Sequence, residues 1–183
     1  MRRVVTGLTQ SGKSIFVLDG EPPRNIKPVG LDSQIFEIWA TDCIPTIPVE
    51  DSDPTVEMSS FIPGPGGTRF RIWRMPGTKE VERATKAGVD IEAVRQERLA
   101  KMPPFAAMME KENVGATPGM HTTDTIDYGI VISGEIWMEL DDGAEVHLKQ
   151  GDCVIQNGTK HAWLTRSPEP CVMAWILIGA ERK

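Results

Sequence analysis

The amino-acid sequence predicts an all-β fold, a small barrel interrupted by a helical insertion around residues 79–115. Three observations carry this. From Tyr128 to the C-terminus the chain reads as strand after strand, with short runs of apolar residues separated by Gly, Asn and Asp turns. Residues 68–75 alternate Phe70 and Ile72 against Arg69 and Arg71, the period-two pattern of a strand with one covered face. Residues 79–115 alone lack β alternation and hold a helical run, 89–102.

Composition bounds the rest. The chain has 183 residues, 40% apolar and 25% charged, which suits one domain over 1–183. Within it, 1–66 supply N-terminal strands and a Pro/Gly-rich loop, and 67–179 the barrel core. Lys and Arg number 20 against 26 Asp and Glu, so the net charge of −6 argues against nucleic acid as a partner. The basic start at Arg2 and Arg3 has no apolar run behind it, so no signal peptide is expected. No window approaches the roughly 18 apolar residues of a membrane-spanning helix. Three cysteines, Cys43, Cys153 and Cys171, have no paired spacing, and reduced thiols in a cytoplasmic protein are the expectation.

The elements follow in order. Residues 14–18 read as a strand ending in the Asp19-Gly20 turn, and 34–40 as another strand. Pro45, Pro48, Pro54, Pro63 and Pro65 exclude a long helix from 44–67 and leave a meandering loop. Arg69, Arg71 and Arg74 could hold an acidic substrate, but on a half-exposed strand they are expected to be mostly solvated. In the insertion, Gly88 or Asp90 starts the helix and Pro103-Pro104 stops it. The loose stripe Val89, Val94, Leu99 rests on the core, as a surface helix or a lid. Met108, Met109 and Met120 could line a greasy pocket mouth.

After it, the hairpin can be registered. A three-residue loop, Asp141-Asp142-Gly143, pairs Met138 with Val146 and Ile136 with Leu148, which keeps one face apolar and puts Gly143 where φ > 0 is needed. Trp137 then sits opposite His147, and Glu135 opposite Lys149. The last strand, 172–178, is apolar on both faces. One face lines the barrel, and the other calls for cover by the N-terminal strands or a second subunit.

There are only three histidines, His121, His147 and His161. His121 precedes Asp127, which opens a β run ending in Ser133-Gly134. His161 follows an Asn157-Gly158 turn and begins another strand. Antiparallel neighbours could bring His121, Asp127 and His161 to one end of the barrel. Two imidazoles and a carboxylate suit Fe(II), Mn(II), Ni(II) or Zn(II) and leave coordination positions open. His147 falls on the polar face, away from them. Trp163 shares a face with His161, as pocket wall or core. Cys153 is expected to be a small core residue.

These two segments resemble the paired motifs of the cupin superfamily. Gly115 falls on the first motif's opening glycine, His121 on its first histidine, and Asp127 on its glutamate, seven positions before Gly134. Gly151 and His161 match the second motif. Thr123 occupies the second-histidine slot, Asp127 is one methylene shorter than glutamate, and Asn157 and Thr165 replace a proline and an asparagine. The match is good over about 67–179, and Gly115 to Ile178 is similar to small single-domain cupins, including oxidoreductase-type tailoring proteins. The resemblance implies a double-stranded β-helix (a jelly-roll barrel), usually a homodimer, with a divalent metal ion at the barrel mouth. It implies a metalloenzyme acting on a small organic substrate of carbonyl, enol or hydroxy-acid type, as an oxidoreductase or dioxygenase. The alternatives are a metal-assisted lyase, dehydratase or isomerase, and a non-catalytic small-molecule-binding or dimer-forming barrel. A lyase needs a base, for which Asp124 or Tyr128 could serve. Alternation, however, aims Asp124 outward and Tyr128 away from the Asp127 face.

Overall fold

A computed structural model describes residues 1–49, 52–103, 105 and 117–183. The order is β1 (Arg3–Leu8), β2 (Ser14–Gly20), β3 (Asn25–Ile26), β4 (Gln34–Thr41), β5 (Thr68–Met75), α1 (Thr78–Lys86), α2 (Ile91–Ala100), β6 (Thr125–Ser133), β7 (Glu135–Glu139), β8 (Glu145–Lys149), β9 (Cys153–Asn157), β10 (Ala162–Leu164) and β11 (Cys171–Gly179). Six strands form one sheet, β3-β4-β5-β11-β6-β9, and three form another, β10-β7-β8. Together they make an all-β double-stranded β-helix. β1 and β2 form a separate antiparallel ribbon. No described helix is long and apolar enough to cross a membrane.

Strand faces follow from alternation. On β6 the inward residues Thr125, Asp127, Gly129 and Val131 are buried, and the outward Ile126, Tyr128, Ile130 and Ile132 are exposed. β11 alternates likewise and sits at the sheet's centre, with every residue from Cys171 to Ile178 paired to β5. The main core lies between the two sheets and joins Met75, Val131, Ile136, Met138, Leu148 and the inward side of β11. At about 25 cal/mol per Å² of buried apolar surface, residues such as Ile136 and Met173, with no exposure left, each contribute roughly 2 kcal/mol.

The hairpin register is as expected: Met138 pairs with Val146, Ile136 with Leu148, Trp137 with His147 and Glu135 with Lys149. A single 3₁₀ turn at Asp141–Gly143 connects them, and both Asp142 and Gly143 take positive φ, 58° and 70°. His147 stacks on Trp137 (ring centroids 4.0 Å apart) and bonds Glu135, well away from the other histidines.

Four expectations need correcting. Arg69 and Arg71 are not solvated: both point inward from β5 and are buried, because the outward register positions belong to Phe70 and Ile72. Cys153 is exposed on the outward side of β9, not in the core. Residues 19–20 are not a turn but the end of β2, paired with Val4 and Arg3. The insertion holds two helices, not one. α1 has no buried residue, so no apolar stripe announced it.

α2 begins at Asp90, whose carboxylate accepts from the Glu92 and Ala93 backbone N–H groups, an N-cap that satisfies two otherwise unpaired donors. Val94 and Leu99 are its buried residues. Leu99, Met102 and Phe105 continue into a second apolar cluster with Ile26, Ile35 and Phe61. Met120 is buried, and Gly115, Met108 and Met109 lie outside the described residues.

Candidate functional site

The interior of the barrel opens into a small pocket walled by Phe61, Arg71, Trp73, Phe105, His121, Thr123, Asp127, His161, Trp163 and Trp175, with Ile62 and Leu177 beneath. Its free volume is about 50 Å³. Each wall has a register reason. Asp127 pairs with Leu177 on one side and Gln156 on the other, all three inward. Trp175 fits because its neighbour on β6 is Gly129: a Cβ there would lie 2.5 Å from the indole. Trp163 is carried inward by β10, opposite Met138, so it lines the pocket as well as the core.

His121 and His161 sit just outside regular strands, yet they are locked together. Each backbone N–H donates to the other's carbonyl at 2.9 Å, an isolated antiparallel bridge. Their rings lie 4.3 Å apart between centroids. His121 Nδ1–H donates to the Gly119 carbonyl (2.8 Å), which makes Nε2 the lone-pair nitrogen, the tautomer that binds a metal. Burial lowers its pKa and keeps it neutral at pH 7. His161 Nδ1 is 3.0 Å from the Thr159 carbonyl and 2.9 Å from Gln156 Nε2. Gln156 is oriented by the Gly158 N–H, which donates to its Oε1 at 2.9 Å, so its Nε2 is a donor facing Nδ1 and competes with the Thr159 carbonyl for that nitrogen. Phe105 meets the His121 ring edge-on at 4.9 Å, and Trp163 meets His161 at 5.8 Å.

Asp127 is 5% exposed, and its Oδ1 has no hydrogen-bond partner among the described residues. Burial pushes its carboxyl up to about 6, with the Thr125 hydroxyl and the Arg71 guanidinium pulling weakly the other way. A buried polar atom without a partner is costly, so a cation or a donor group from a ligand would relieve Oδ1. The donor types therefore fit a divalent metal: two imidazoles and an orphaned carboxylate oxygen on one pocket. Among the described residues, no three His, Cys, Asp or Glu side chains stand close enough together to hold an ion as they are. The fourth slot is closed chemically, because Thr123 is buried and accepts a hydrogen bond from the Thr125 hydroxyl at 2.7 Å.

The two proposed bases are not brought to this pocket. Tyr128 is on the outward side of β6 and 42% exposed, since it follows an inward residue. Asp124 bonds Arg182 at the surface. Arg71, a candidate anion holder in the sequence but expected to be solvated, is instead a wall of the site. Its guanidinium lies 3.5 Å from the Phe61 ring centroid, donates to the Phe61 carbonyl at 2.6 Å, and pairs with Glu37 at 3.3 Å. Glu37 is fully buried, and desolvation raises its pKa against the pull of Arg71. The overlooked signal was register: Arg71 pairs with Glu37 on β4 and with Trp175 on β11, both inward positions.

Residues 108–177 match the Cupin domain family. Over 88 residues the chain is 43% identical to the Oryzines biosynthesis cluster protein J of Aspergillus oryzae, covering 45% of this chain and 48% of that protein. Over 48 residues it is 52% identical to the Phomopsin biosynthesis cluster protein C' of Diaporthe leptostromiformis, covering 26% and 25%. It is 28% identical over 113 residues to the Cupin-domain-containing oxidoreductase srdD of Neurospora crassa, covering 57% and 56%. The aligned stretches thus span from a quarter to just over half of these relatives' lengths.

Proposed function

Starting from a chain that carries a cupin domain and folds as a double-stranded β-helix, we propose that it is a metal-dependent enzyme acting on a small organic molecule of carbonyl, enol or hydroxy-acid type, with oxidoreductase chemistry. The observation that carries this reading is the locked His121–His161 pair sharing a pocket with the orphaned Asp127 Oδ1. The relatives named as oxidoreductases or as members of biosynthesis clusters support a tailoring step on a small metabolite.

His121, His161 and Asp127 would hold the metal, which when bound supplies a Lewis acid or, as iron, a redox centre. The chain's own residues do the rest. The Gly119 carbonyl fixes the His121 tautomer. Trp163, Trp175, Phe61 and Phe105 exclude water, which strengthens every polar interaction inside.

The test is metal analysis of untagged protein followed by calorimetric titration with Fe(II), Mn(II), Ni(II) and Zn(II), and with His121→Ala as the control. Stoichiometric binding that His121→Ala abolishes is expected. No bound metal and no titratable site sinks the reading.

A lyase or isomerase is the alternative chemistry. With Asp124 and Tyr128 outside the pocket, Asp127 is the carboxylate at hand as its base. A non-catalytic binding barrel is favoured by one observation, the buried, hydrogen-bonded Thr123 in the fourth ligand slot. The chain is further proposed to act as a homodimer through the outward face of β6 and β9, where Tyr128, Ile130 and Ile155 lie side by side and exposed. Free Cys43, Cys153 and Cys171 fit a reducing, cytoplasmic setting.

A further inference from the structure

Arg71 is a charge inside the barrel that the proposed metal site does not use. It lines the pocket beside Asp127 and is 3% exposed. A buried guanidinium must have its five donors occupied or facing a ligand. Two arms are accounted for. Nε donates to Glu37 at 3.3 Å, and Nη2 donates to the Phe61 carbonyl at 2.6 Å. Nη1 has no protein hydrogen bond among the described residues, and it is not among the atoms sealed from the surface. It is the arm left over, on a residue that walls the pocket. The Phe61 ring stacked on one face of the guanidinium fixes its plane.

We propose that Arg71 anchors an anionic oxygen of the substrate, a carboxylate or enolate, through Nη1, so that the pocket selects monoanions over neutral molecules of the same shape. Trp73, Trp163 and Trp175 then receive the apolar part of the same molecule. This rests on the small-molecule reading above but not on the metal.

Acetate and acetamide have the same shape and differ in charge, and each is small enough for the free volume of about 50 Å³. Both are titrated at constant ionic strength into protein freed of metal with EDTA, and followed by the indole N–H resonances. Trp73, Trp163 and Trp175 report on the pocket, while Trp39 and Trp137, away from its walls, serve as internal controls for the fold. The expected result is that acetate shifts the pocket indoles with an affinity at least about tenfold above acetamide, a difference of about 1.4 kcal/mol. Removing Arg71 alone strands Glu37, so the test variant is the double Glu37→Leu/Arg71→Met, in which the preference should vanish while Trp39 and Trp137 stay in place. Equal binding of the two probes by the wild type overturns the proposal, as does a preference that survives the double variant. Repeating the titration with Zn(II) separates the two readings. If Zn(II) never binds yet the Arg71-dependent preference holds, the metal reading fails and the anchor stands. A preference that needs Zn(II) and ignores Arg71 places the anion on the metal and overturns the anchor.

Discussion

Replacing Asp127 by asparagine should make the metal-free protein more stable at neutral pH, although the residue sits in the candidate site. In the fold the carboxyl is buried with Oδ1 unpartnered, and its pKa rises from 3.8 to about 6. A raised carboxyl pKa means that the native state holds its proton more tightly than the unfolded chain does. That stabilisation is fully present below the unfolded pKa and is lost as pH rises through the folded one. With about 1.4 kcal/mol per factor of ten in proton affinity, the interval from 3.8 to about 6 is worth about 3 kcal/mol. Asparagine mimics the protonated acid and does not titrate. Urea unfolding in EDTA, followed by tryptophan fluorescence, should therefore give nearly equal stabilities for wild type and Asp127→Asn at about pH 3.5, with the variant ahead by up to about 3 kcal/mol at about pH 8. A variant that is less stable than wild type at pH 8, or a gap that does not grow with pH, refutes the reasoning. Saturating metal should reverse the order, because a bound cation gives Oδ1 the partner it lacks and asparagine is the poorer ligand.

Three further outcomes are expected. Glu37→Leu should cost about 3–5 kcal/mol by leaving Arg71 charged and unpaired, and adding Arg71→Met should recover most of it, as read from urea midpoints of the single and double variants. Gly134→Ala should cost about 3 kcal/mol or more in the same assay, because Gly134 has φ of 75° and an added Cβ would collide with the Pro170 carbonyl. Sedimentation should find a wild-type dimer and a Tyr128→Lys/Ile155→Lys monomer; a wild type that sediments as a monomer ends the proposal that this face is an interface.

Where one side of a strand is apolar, period two fixes the register, and the sequence was legible. The Glu135–Lys149 hairpin is the clearest case, because a two-residue turn would have set Glu145 beside Leu140. His121 and His161 were legible for a different reason: with three histidines in the chain, two flanking β runs at motif spacing leave little else to consider. β5 misled because its pattern is inverted. Phe70 and Ile72 look like the covered face, yet they point outward, and the arginines point in. Alternation identifies two faces but not which one is the interior. A solvated face is the safe assumption for arginine unless a buried carboxylate waits across the strand. That carboxylate is Glu37, paired with Arg71 in register on β4. It too reads as a surface residue when taken alone. Burying either charge singly would cost several kcal/mol, and burying both together is close to neutral in favourable geometry. Such a pair is invisible to any reading that treats residues one at a time. A core built only for stability would place two apolar side chains there. The barrel instead keeps Arg71 in one pocket with Asp127, itself destabilised by burial, so two ionisable groups share a lining that is otherwise largely aromatic and aliphatic.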